Sequence, residues 1–413
     1  MTSRRNFLTA TAGTGLFSLN GRVPAVLQRS ADRLATNDRI LVVVELAGGN
    51  DGLNTIIPFT SDEYRSARPK LAISANEVLK IDDELGFHPA LGGFAELLQN
   101  GQLAVAQGVG YENPNRSHFE SMDIWHTCQR KDEQRHSGWL GRFLETSRDP
   151  RITDPPALHL GRDKQPFALM SRDVRVPSIN SLERFRLEGS RDKGFRQTVR
   201  QLSDAKRGSS SDLLGFVQSS TSSAITASER IETAGEGYQP AISYPQSSLA
   251  QKLLTVAKLI HAGLSSSVYY VRIDGFDTHA RQADAHESLL RQVSDGVTAF
   301  LKDLSHHDHA DRVLCMCFSE FGRRVKENAS EGTDHGTAGP VFLAGNAVKA
   351  GLVTRHPSLT DLQQGDLKHQ VDFRQVYATV LEDWLLCQSR EILHGSYKKI
   401  DALNQTTQVP TRR

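Results

Sequence analysis

Acidic and imidazole side chains recur in this sequence beside short apolar runs. Asn50 and Asp51 follow "RILVVVELAGG", and Arg116, Ser117 and His118 follow "GQLAVAQGVG" after a short polar link. Asp274, Asp277 and His279 close "SSSVYYVRIDGFDTH", Glu320 and Arg323 close "DRVLCMCFSEFGR", and Asp334 and His335 stand just before "GPVFLAG". Carboxylates with imidazoles and no cysteine suit one or two divalent ions (Zn, Mn, Mg or Ca) better than a structural zinc. Two such ions can hold a phosphate or sulfate ester and stabilise both its entering and leaving oxygens. The candidate ligands are Asp51, Asp277, His279, Glu320, Asp334 and His335. Ser117, at an apparent helix start, is the candidate nucleophile, with helix N–H groups facing the anion. Arg116 or Arg323 would clamp ester oxygens bidentately.

Each residue alone has a plainer reading. "DTH" is a common solvated turn, Ser117 a helix cap, Glu320 a salt-bridge partner and Asp51 a turn residue; their shared place beside strands carries the expectation. His126, His136, His286, His306, His307 and His394 read as surface or packing residues, His286 being the first exception to consider. His88, in "GFHPAL", reads as structural.

In open α/β sheets ligands gather outside the carboxyl ends of strands, so the elements matter. "RILVVVEL", Gly101–Gly110, part of Ser265–His279, "DRVLCMCFSE" and Gly339–Gly345 read as buried strands, continuous in apolar character and therefore parallel for the most part. Helical periodicity lies between them. Leu249, Leu253, Val256 and Ile260 share one face, with Gly263 closing the helix; Leu290, Val293, Val297, Phe300, Leu301 and Leu304 share another. A third helix starts at Asp372 as N-cap. The alternation gives a doubly wound α/β fold, a mostly parallel sheet with helices on both faces. Residues 145–246, rich in Arg, Ser and Asp, read as an irregular insertion within a domain of about residues 37–400, and residues 401–413 as a tail.

The chain has 413 residues, 38% hydrophobic, with a net charge of +1, which gives no electrostatic case for nucleic acid. Cys315 and Cys317 alternate in an apolar run and read as small buried hydrophobes. Residues 1–36 begin "MTSRRNFLTATAG", and Arg4-Arg5 ahead of Phe7 and Leu8 resembles a twin-arginine export signal, too short to span a bilayer. That implies the twin-arginine translocation machinery as a partner and a periplasmic or extracellular location.

Together, "ELAGGNDGLNTIIP", "HPAL", "NPNRSHFESMDIW", "GFDTH", "FSEFGR", "GTDHGTAGPVFLAG" and "DFRQVYATVLEDWL" make the chain resemble the domain of unknown function 1501 family, grouped with the alkaline phosphatase and sulfatase superfamily. The resemblance implies a two-metal fold in which Asp51, Asp277, His279 and His335 match ligand positions and Ser117 matches the nucleophile. It also implies an Asp-His pair where this chain reads Glu320-Phe321, so Phe321 stands in place of an imidazole, and Asp334 is the residue that could compensate. The readings are an exported metal-dependent hydrolase or transferase of anionic phosphate or sulfate esters, or a non-catalytic binding or envelope-associated protein on the same fold. A redox cofactor protein finds no C-x-x-C or G-x-G-x-x-G to support it.

Overall fold

Val, Ile and Leu dominate β1 (Ile40–Ala47), and all eight of its residues are buried, as a strand covered on both faces requires. Alternation sends Ile40, Val42, Val44 and Leu46 into one apolar layer and Leu41 and Val43 into the opposite one. The computed structural model describes residues 38–147, 154–179 and 237–404. The expected export leader, most of the expected insertion and most of the tail lie outside those residues.

The remaining principal strands are β2 (Leu103–Gly110), β3 (Ala157–Leu160), β4 (Val268–Asp274), β5 (Val313–Phe318) and β6 (Gly339–Ala344). They lie in the spatial order β2-β6-β5-β1-β4-β3 within a nine-stranded sheet, which three two-residue strands extend. β1 is parallel to β4, with Leu41 opposite Val268 and Ala47 opposite Asp274. It is also parallel to β5, from Ile40 opposite Val313 onward. β6 alone runs against its neighbours β2 and β5. A parallel return needs a crossover of a dozen or more residues, usually a helix. The segment from Ser319 to Ala338 contains no helix and turns straight back.

Helices cover both faces, as the sequence periodicity indicated. On one side are α1 (Gly92–Gln99), α4 (Ser248–His261) and α5 (Gln282–His306). On the other are α2 (His118–Thr127), α3 (Trp139–Ser147) and α6 (Phe373–Thr379). Ser247 caps α4 through the N–H of Ala250, and Asp372 with Gln375 forms a capping box on α6. Cys315 and Cys317 are buried in the first layer. Where an irregular insertion was expected, Ala157–Leu160 instead pairs in parallel with β4 as a member of the main sheet; "ALHL" is short enough for its polar surroundings to mask its pattern.

The topology brings the ligand-rich segments to one edge. β1, β2, β4 and β5 all end there, and β6, being reversed, begins there. Residues just before β6 therefore face the same rim as residues just after the other four.

Candidate metal centre

The turn after β1 is set by glycines. Gly48 has φ +121°, and a Cβ on it would lie 2.4 Å from the Asp277 nitrogen. Gly49 has φ +81°, and its Cβ would lie 2.3 Å from the Phe321 ring. Only glycine permits both the backbone angle and the approach. The turn then offers its polar groups outward. The Gly48 N–H donates to Glu320 Oε1 at 2.9 Å, and the Gly48 and Gly49 carbonyls accept from Arg323.

Around this turn, three imidazoles meet one carboxylate. His335 Nε2 lies 3.0 Å from Asp277 Oδ1, His279 Nε2 3.0 Å and His118 Nε2 3.4 Å. His279 Nε2 and His335 Nε2 are 2.9 Å apart. Ligand atoms of His118, Asp277 and His335 all fall within 4.8 Å of one another.

Each ring is held from behind by its other nitrogen. His335 Nδ1–H donates to the Arg116 carbonyl at 2.8 Å. His118 Nδ1–H donates to Glu320 Oε1 at 2.9 Å, and His279 Nδ1 faces Asp334 Oδ1 at 3.3 Å. A carbonyl can only accept, so on His335 the proton sits on Nδ1 and the Nε2 lone pair points inward; Glu320, nearer to His118 than Asp277 is, favours the same tautomer there. This is the outer-shell arrangement that orients metal-binding histidines.

The donor set fits a cation. The inward lone pairs of His118 and His335 and a carboxylate oxygen repel one another unless something positive lies between them. His118 Nε2 is solvent-inaccessible and has no hydrogen-bond partner. Burial raises the Asp277 carboxyl, but the bond and charge of the buried Arg323 guanidinium oppose that, and it is held at about 2, so it is ionised and ready to ligate. For His118 the bond to Glu320 raises the ring above its ordinary value. One imidazole-rich shell of this kind suits zinc.

Local structure places each group. Ser117 occupies the N-cap of α2 and makes no side-chain cap bond, so His118 opens the helix. One turn on, Ser121 Oγ donates to the Glu320 carbonyl at 2.6 Å, which fixes the helix start against the strand end. Phe321, where the resemblance implied an imidazole, is buried with its ring 5.0 Å from His118 and 4.8 Å from His335, centroid to centroid. Its ring packs against both imidazoles.

Three expected site residues are engaged otherwise. Asp51 lies in a buried ion pair: Arg68 donates to Oδ2 at 2.5 Å and Oδ1 at 2.9 Å, and Gln282 donates to Oδ2 at 2.5 Å. Both oxygens are taken, so Asp51 supports the rim from beneath and does not join the imidazole cluster. Arg323 was expected as an ester clamp, but it is fully buried and donates to the carbonyls of Gly48, Gly49, Phe276 and Thr333 and to Asp277. It is a scaffold for the rim, held away from solvent by its burial. Arg116 reaches Asp366, donating through Nε at 2.9 Å and through Nη2.

The structure thus brings together Asp277, His279, Asp334, His335 and Glu320, the last behind His118. The sequence reading had passed over His118 in favour of its neighbour Ser117; its place in the first helical turn after a strand was the available signal. Arg68 and Gln282 gave no local signal. His286 is buried, donating to Asn50 Oδ1 at 2.9 Å, and His88 accepts from the Ala90 N–H, so both are structural.

A mixed, mostly parallel α/β sheet with a histidine–carboxylate cluster at its ligand edge defines the class of protein. The chain belongs to the family described as Protein of unknown function (DUF1501), whose model matches residues 38–399. No curated protein matches it significantly. Similar solved structures include the C-terminal periplasmic domain of EcEptC from Escherichia coli in complex with Zn, at 9% identity and TM-score 0.36, covering 76% of this chain and 74% of that one. PsFucS1 sulfatase from Pseudoalteromonas sp. shares 10% identity at TM-score 0.34, covering 92% and 75%. Alkaline phosphatase from the Antarctic bacterium TAB5 shares 8% at TM-score 0.32, covering 76% and 92%.

Proposed function

We propose that the protein binds a single divalent ion, zinc first among the candidates, through His118, Asp277 and His335. In this reading it acts on phosphate or sulfate esters as a hydrolase or transferase. The observation that carries the reading is the convergence of three imidazole nitrogens, two of them on rings held from behind through Nδ1, on Asp277 Oδ1. A bound divalent ion supplies Lewis acidity to an ester oxygen. The chain's own groups do the rest. Glu320 and the Arg116 carbonyl hold two of the rings, Phe321 packs against them, and Ser117 Oγ, exposed at the helix start, is the candidate nucleophile. Arg4-Arg5 supports export by the twin-arginine machinery to the periplasm or beyond; among the described residues no helix is long and apolar enough to cross a membrane.

The test is zinc titration by calorimetry of wild type, His118→Ala and His335→Ala, followed by assays on phosphomonoesters, phosphodiesters and sulfate esters with and without Ser117→Ala. One tight site in wild type, lost in both histidine variants, is the expected result. Equal zinc uptake in all three ends the metal reading, and equal ester turnover in Ser117→Ala removes that serine as nucleophile.

One observation favours a non-catalytic binding protein. His279 Nε2 stands close enough to Asp277 and His335 to be a fourth protein ligand, and a shell closed by four protein ligands is structural. If His279→Ala abolishes zinc binding and wild type turns over no ester, this second reading stands.

A further inference from the structure

A second group of imidazoles lies at the edge of the sheet opposite the candidate centre. α4 and α5 each lead into the start of a strand, β4 or β5, whose other end is at the rim. α4 ends in His261. α5 ends in His306, with His307 as its C-cap. Asp308, at φ +59°, then turns the chain back, and the His309 N–H donates to the Leu304 carbonyl at 2.8 Å. His307 and His309 are thereby held at one helix end, against the end of α4.

His261 Nδ1 and His309 Nε2 stand 3.4 Å apart. That is long for a hydrogen bond between nitrogens, whereas two nitrogens on one tetrahedral zinc, each about 2.0–2.1 Å from it, lie about 3.3–3.4 Å apart. The His307 ring is 4.8 Å from the His261 ring, centroid to centroid. Its Nε2 is solvent-inaccessible, makes no hydrogen bond among the described residues, and faces the buried Asp303 carboxylate at 3.6 Å. Nδ1 is therefore the nitrogen left for a ligand. Asp303 is itself fixed by the hydroxyls of Tyr238 and Tyr244, which donate to Oδ2 at 2.6 and 2.8 Å, and by the Ala241 N–H, which donates to Oδ1 at 2.8 Å. The Tyr238 ring packs 5.0 Å from the rings of both His261 and His307. A carboxylate behind an imidazole is how an outer shell orients a metal-binding histidine. The negative ends of two helix dipoles also favour a cation here.

We propose that His261, His307 and His309 form a second metal site, for an imidazole-favouring divalent ion such as zinc or copper(II), and that the ion staples the last turns of α4 and α5 together. Imidazoles ligate uncharged, so the site has no carboxylate charge of its own in contact with the ion. It is the weaker of the two sites and fills after the centre.

The test is calorimetric titration of the tag-free full chain with zinc, in the His118→Ala background, which removes a ligand of the centre. That variant should still take up an ion at this weaker site. Adding His261→Ala or His309→Ala should abolish that uptake, and adding His306→Ala, which removes an exposed imidazole from the same helix end, should leave it unchanged. Copper(II) should bind more tightly than zinc, and magnesium should not bind. Hydrogen exchange in the last turns of α4 and α5 should slow when zinc is added to His118→Ala, and should not respond once His309→Ala is added. Uptake that survives both His261→Ala and His309→Ala, uptake that falls equally with His306→Ala, or a His118→Ala variant that binds no zinc overturns the proposal. The three second substitutions are compared in one background, so their differences report this site whether or not the centre binds an ion.

Discussion

Replacing Arg68 by methionine tests the assignment of Asp51 to scaffold. Arg68 is fully buried and all five of its donors are used: two on Asp51, the others on the carbonyls of Val325 and Arg324 and on Asn54. Methionine fills much of the volume but leaves a buried carboxylate with only Gln282 to answer it. Breaking a buried pair from one side costs about 3–5 kcal/mol. At an unfolding entropy of about 2.1 cal/mol/K per residue over a unit of this size, that is a fall in Tm of roughly 4–6 °C. Asp51→Asn should cost less, because Arg68 keeps three carbonyl or amide acceptors and an asparagine oxygen. The pair should couple, so that the double variant is less destabilised than the sum of the singles. The assay is thermal unfolding of the metal-free protein, with zinc affinity measured on the same samples below Tm. Asp51→Asn should leave zinc affinity unchanged. If it instead loses zinc at unchanged Tm, Asp51 belongs in the ligand shell and the reasoning fails.

Glu320→Gln removes the charge behind His118 while keeping an oxygen for the Gly48 N–H; zinc affinity should fall about 10–100-fold, read by chelator competition. Gly48→Ala forces both a positive φ and a clash with the Asp277 nitrogen, so it should cost about 2 kcal/mol or more, seen as a lowered urea midpoint together with lost zinc binding. Burial holds His286 down to about 3 and His159 to about 4. The unfolded chain, with ordinary imidazoles, therefore takes up these protons first as pH falls. Stability is fully present above about pH 6.5 and is lost below it, approaching a slope of about 3 kcal/mol per pH unit. Urea unfolding at stepped pH reads this slope, and a flat profile from pH 6.5 to 4 refutes the buried neutral state.

The strands were legible because "ILVVVELA" and "VLCMCF" are uninterrupted β-branched or apolar runs, and strand ends pointed to Asp277, His279 and His335. What failed was anything decided by side-chain direction. Arg323 and Arg324 differ by one residue, yet one is buried and the other faces water, and nothing in "GRRV" fixes that register. Asp51 carries the right charge at the right strand end, but its partner lies 17 residues on, in "SARPK", where no local pattern marks an arginine as internal. The reversed direction of β6 was equally hidden, since a buried strand has the same composition whichever way it runs.

That reversal has a consequence for the order of events. Glu320, Arg323, Asp334 and His335 all lie in the single excursion between β5 and β6, whose two ends are zipped side by side by Cys317 opposite Phe342. The sheet thus acts as a clasp. Once it is shut, these four side chains have little freedom left to lose, because closing so long an excursion is the costly part and does not depend on any ion. The chain should therefore reach its native sheet first and take its cation last, as a finished receptacle.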